Sequence, residues 1–170
     1  MIKLRKTLIS AALLGTLTAG LIQPAAAAFD KTRFVADLGM AYFAFHHFVV
    51  KPYENKEFET VAPHHKKAMV KAGLAMLFAV YEVKHASKIA KNSKDPTLMK
   101  LSMELNKLTA VFGTMGSKFK KGNVADGDYK SLTDTFGAVS GSVGSAGYDV
   151  KDKETKIPGI SDTSTMQKAG

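Results

Sequence analysis

The chain reads as an all-α protein, an antiparallel four-helix bundle running up-down-up-down. Three observations point there. Four stretches repeat apolar residues every three or four positions, each stretch is bounded by a proline, a capping acid or a glycine, and no stretch of useful length alternates with period two. A cleavable export signal precedes the bundle.

Residues 1–27 form that signal. Lys3, Arg5 and Lys6 open the chain, the apolar run Thr7 to Ile22 follows, and Gln23-Pro24-Ala25-Ala26-Ala27-Ala28 closes it. Charged, apolar and small-residue regions in this order are what a secretory signal requires. The run is broken by Gly15 and Gly20 and falls short of the roughly 20 apolar residues that span a bilayer. Small side chains beside the cut place it after Ala27 or Ala28. The product is expected to be exported, periplasmic or extracellular, with no transmembrane span after cleavage. With no cysteine in the sequence it carries neither a lipid anchor nor a disulfide, so it relies on its own core. The remaining length suffices for one such core, a helical domain over 28–147 followed by a flexible tail over 148–170.

The first helical segment is expected over 29–50, with Asp30 or Thr32 as its cap. Phe34, Leu38, Tyr42, Phe45 and Val49 share one face, and Pro52 ends it. The second starts near Pro63 and runs to about Asn92, with Val70, Gly73, Leu74, Leu77, Val80 and Tyr81 as its main apolar face. Asp95-Pro96 restarts the chain into a third helix, whose Leu98, Leu101, Leu105, Leu108, Phe112, Met115 and Phe119 form a heptad-like seam ended by Gly122-Asn123. Asp126 is expected to cap the fourth, which carries Tyr129, Leu132, Phe136, Val139 and Val143. That helix is rich in Gly and Ser. Its small residues read as places where two helices approach closely. Beyond it, few apolar residues remain, which is the composition of a mobile tail.

The whole chain has a formal net charge of +9, but three of its 24 basic residues lie in the signal, leaving 21 against 15 acids. A net +6 favours anionic surfaces. Export removes nucleic acid as a partner, since the chain would seldom meet it. An anionic envelope surface, a small apolar ligand or a client protein are the partners expected instead. Lys66, Lys67, Lys71, Lys88 and Lys91 on the second helix are the candidate contacts to such a surface.

No motif for an enzyme is present. There is no cysteine nucleophile, Gly-x-Ser-x-Gly elbow, Walker loop, dinucleotide fingerprint or zinc-protease His-Glu-x-x-His. The five histidines fall in or just before the first two helices. Projected at 100° per residue, Met40, Phe43 and His47 align on the first helix, and His65, Met69 and Met76 on the second. Imidazole and thioether ligands with apolar walls suit copper(I) or haem iron. Haem-binding four-helix bundles are similar in architecture alone, because the fourth segment here holds no histidine and no Cys-x-x-Cys-His occurs. Methionine at helical spacing is also ordinary core packing. The expectation is therefore a non-catalytic exported binding or interaction protein with no cofactor; haem or copper on the His/Met face is the alternative.

Overall fold

The computed structural model describes residues 25–160, so most of the expected signal, and the last ten residues, lie outside the described part. Among the described residues the chain is all helical, without strands. Four long helices form a bundle: α1 (Ala25–Phe45), α3 (His65–Asn92), α4 (Pro96–Lys121) and α5 (Asp126–Ser145), with a short α2 (Lys51–Glu54) joined to α1 by a π turn at His46–Val50. The third helix, α3, packs against both α1 and α4, and α4 packs against α5.

The seams expected in α1 and α4 are buried. Phe34, Leu38, Tyr42, Phe45 and Val49 on the first rod, and Leu98 to Phe119 on α4, make up much of the core. On α5 Leu132, Phe136, Val139 and Val143 are buried, and Phe136 touches Tyr42, Phe45, His46 and Phe112 through ring contacts. Each of these faces is built from bulky apolar residues turned into the common core. Periodicity reads such faces directly.

The helix expected second, α3, is turned relative to expectation. Its buried face is Ala68, Met69, Ala72, Gly73, Ala75, Met76, Ala79, Val83, Ala86 and Ala90, whereas Val70 is 56% exposed, Leu77 40% and Tyr81 66%. The reason is its position between two neighbours. A helix that must lie close to both α1 and α4 presents small residues to them, and its larger apolar residues are left outside. Gly73 and Gly116 mark the closest approach: a Cβ on Gly116 would lie 3.2 Å from Met76 Cβ, and one on Gly73 3.1 Å from the Lys120 side chain. The α5 glycines behave otherwise. Added Cβ atoms at Gly137, Gly141 and Gly144 would meet nothing within 4 Å, so these glycines do not serve close packing.

Helix ends follow local chemistry. The Asp95 carboxylate accepts the Thr97 amide at 2.8 Å, with Pro96 in the first turn of α4, and Gly122 closes that helix at φ 66°. Ala125, not Asp126, is the N-cap of α5, and Asp128 reaches back to accept the Ala125 amide. The first rod begins at Ala25, upstream of the expected caps, and Thr32 donates to Ala28 O within it. It also passes Pro52. Proline has no N–H to give the preceding turn and its ring crowds the carbonyl four residues back. The turn widens there, so that the Lys51 amide reaches His46 O, five residues earlier, and the helix survives to Glu54.

The segment expected to be a mobile tail instead packs on the bundle as far as Ile160. Tyr148 lies edge-on to Phe34, the Lys153 amide donates to Gly39 O at 2.9 Å, and Ile157 is buried. Gly39 makes the crossing possible, since a Cβ there would sit 2.6 Å from Lys151 O. We call 149–160 the strap. A strap of this kind needs only one or two apolar anchors and a few backbone contacts, too little to register in composition.

Candidate functional site

Three places in the described molecule bring chemistry-bearing side chains together. The first is the outward face of α3. From Pro63 to Lys94 the only acid is Glu82, and it is buried. At 100° per residue Val70, Leu74, Leu77 and Tyr81 form the middle of the face, Lys66 and Lys67 one end, and Lys84, Lys88 and Lys91 the other. All five of these lysines are exposed. The result is an apolar patch with cations at both ends and no anion within the stripe. Of the lysines expected to touch an anionic surface, Lys66, Lys67, Lys88 and Lys91 lie on this face. Lys71 is half-buried and lines a small cleft with His47 of the π turn.

The second place is a cavity of about 560 Å³ at one end of the bundle, formed by α2, the connection to α3 and the α4–α5 corner. Phe58, His65, Met69 and Val124 line it with Tyr53, Glu54, Glu59 and Asp126. Tyr53 stacks on Tyr129 with ring centroids 3.5 Å apart, and its hydroxyl donates to Asp126 at 3.3 Å. Burial pushes the Tyr53 phenol up, and Asp126 adds to the shift. The Tyr129 phenol is raised the same way, by burial and then by Glu54. His65 Nδ1 is shut off from water without a hydrogen-bond partner.

The third is a buried polar cluster between α1 and α3. His85 Nδ1 donates to Asp37 Oδ2 at 2.6 Å, and Asp37 is 5% exposed. The Glu82 carboxyl is held above its ordinary value by burial and by the Asp37 charge, against opposing contributions from His85 and from Lys153 of the strap. A buried carboxylate that fixes one imidazole nitrogen leaves the other oriented, which is the geometry of a positioned base or ligand. Among the described residues, though, no group of three or more His, Asp or Glu is arranged to hold a metal ion.

The six residues singled out as a His/Met face occupy different surroundings. His65 and Met69 share the end cavity. Met76 is fully buried against Gly116. Met40 is half-buried on α1, and Phe43 stacks on His47 at 5.2 Å. The His47 imidazole is lowered by burial and by Lys51 and Lys71, and it lines a cleft of about 160 Å³ with Phe48 and Glu57. Sequence reasoning did not find the Asp37–His85 pair or the cavity acids, which come from elements far apart in the chain. For the α3 face the lysines were legible in the sequence, whereas Val70, Leu77 and Tyr81 were expected on the buried side. No described helix is long and apolar enough to cross a membrane. No family model matches this chain, and no curated protein or solved structure is significantly similar to it.

Proposed function

We propose that the protein is exported as a bundle whose consecutive helices run up and down, and that it is a non-catalytic binding protein docking on anionic lipid through the outward face of α3. The observation that carries this reading is the exposure of Val70, Leu77 and Tyr81 between two groups of lysines with no acid in the stripe. Lysines alone would suit any polyanion. The apolar centre favours a lipid interface, where side chains enter the headgroup boundary while each nearby cation contributes about 1 kcal/mol. The flanking lysine stems can spread over the same surface. Export is supported by the signal pattern and by the position of the core, because Phe34 is the first buried side chain among the described residues. A cut after Ala27 or Ala28 thus removes none of them.

The haem or copper alternative draws less support. His65 and Met69 stand four residues apart on α3 and project from the same side, so they cannot take opposite faces of one iron.

The test is co-sedimentation of the mature chain with phosphatidylcholine vesicles, with and without phosphatidylglycerol. Binding is expected only to the anionic vesicles, and high salt should release it. Replacing Lys66, Lys67, Lys88 and Lys91 by Glu should abolish binding. Changing Leu77 and Tyr81 to Ser should weaken it while leaving its salt dependence in place. Equal binding to both vesicle types, or anionic binding untouched by the lysine changes, would overturn the proposal.

A further inference from the structure

We infer that the end cavity is a binding site for a small organic cation with an apolar body, such as an aryl or alkyl ammonium. This goes beyond the lipid-docking reading and does not depend on it. The volume, about 560 Å³, falls within the range of small-molecule sites. The wall divides by chemistry. Phe58, Met69 and Val124 offer an apolar surface, whereas Glu54, Glu59 and Asp126 contribute three carboxylates against one lysine, Lys56. Lys56 stands 4.0 Å from Glu59, and neither Glu54 nor Asp126 has an ion-pair partner among the described residues. In a chain of formal charge +9, a concave wall with excess carboxylate departs from the molecule's own charge balance.

The aromatic lining fits the same ligand. A substituted ammonium is drawn both to carboxylates and to the face of an aromatic ring, and desolvation in a cleft strengthens the second attraction. Tyr53 and Phe58 line the cavity, and the Tyr53 hydroxyl is committed to Asp126, which orients that carboxylate. The Tyr53 and Tyr129 phenols are raised by burial first, with Asp126 adding to the shift at Tyr53 and Glu54 at Tyr129. An anionic ligand would be repelled by the excess of carboxylates, and a neutral one would gain only the apolar wall.

Isothermal titration of the mature chain at low salt with benzyltrimethylammonium, benzyl alcohol and phenylacetate tests the inference, because the three share a ring and differ in charge. Saturable binding of the cation, at least about tenfold tighter than the other two, is expected. In the Glu54→Gln, Asp126→Asn double variant the preference for the cation should disappear, with circular dichroism showing the same helical content. If that variant does not fold, the three-probe comparison on the native chain decides alone. Equal affinity for the three probes, no saturable binding of the cation, or an undiminished cation preference in a folded double variant would overturn the inference. None of these outcomes bears on vesicle binding through α3, which fails or holds separately.

Discussion

At the Asp95 carboxylate three parts of the chain meet. It caps α4 through the Thr97 amide, pairs with Lys31 of α1 at 3.0 Å, and accepts the Tyr148 hydroxyl at 3.3 Å. These partners, Lys31 first and the Thr97 amide next, hold its carboxyl down at about 2, and burial with the same carboxylate pushes the Tyr148 phenol up to about 12. Asp95→Ala is expected to cost about 1–2 kcal/mol at neutral pH, measured by urea unfolding. A depressed carboxyl stabilises the fold above the ordinary carboxylate range and loses that effect as pH falls toward 2. The gap between wild type and variant should therefore close between about pH 4 and pH 2; a gap independent of pH would mean that the charge plays no part. Glu82 has the opposite sign. Its raised carboxyl adds stability below the ordinary glutamate range, and that contribution is lost as pH climbs through the raised value. Glu82→Gln should therefore raise the melting temperature at neutral pH by about 3 °C, for roughly 1 kcal/mol, with little change near pH 4. A destabilised Gln variant at pH 7 would show that the ionised carboxylate is paired there.

At the scale of elements, α5 and α3 use small residues for different purposes. On α3 they face neighbours on two sides, and on α5 the glycines face open space. An exposed helical glycine costs about 1 kcal/mol relative to alanine. Gly137→Ala and Gly141→Ala should each stabilise the protein by up to about that amount in thermal unfolding, whereas Gly116→Ala should destabilise it through the contact with Met76 Cβ. Destabilisation by either α5 change would mean that this face is covered in solution. The π turn belongs to the same scale, because it keeps Pro52 inside a continuous rod and so brings α2 and Tyr53 to the end cavity.

At the scale of the whole molecule, the strap ties the end of α5 back across α1 toward α3. His46 Nδ1 donates to both Asp152 carboxylate oxygens, at 2.8 and 2.9 Å, Lys153 is held on Gly39, and Gly159 lies against Leu74, whose side chain would be 3.5 Å from a Cβ added there. Gly39→Val places side-chain atoms where Lys151 O now lies. Trypsin should then cut at Lys151, Lys153 and Lys156 several-fold faster while the helices keep their circular dichroism signal; cutting at the wild-type rate would show that Gly39 does not hold the strap. The strap reaches α3 at Leu74 through Gly159, and Val70, Leu77 and Tyr81 stay exposed.

The sequence by itself determined the all-helical bundle, the Asp95-Pro96 start and Gly122 end of α4, and the seams of α1, α4 and α5. Each of these rests on local chemistry or on bulky residues facing the core, and both leave a periodic trace. Only the tertiary structure decided which side of α3 is core. Small residues line the faces that α3 packs closely against α1 and α4, and alanine and glycine carry too little apolar weight to announce a buried face beside Val70, Leu77 and Tyr81. It also decided the strap, which is held at Gly39 by one backbone bond, by the His46–Asp152 pair and by buried Ile157. The end cavity was half legible, in His65 and Met69. Its acids and Tyr53 come from α2, the connection that follows it and the start of α5, and only folding places them on one wall.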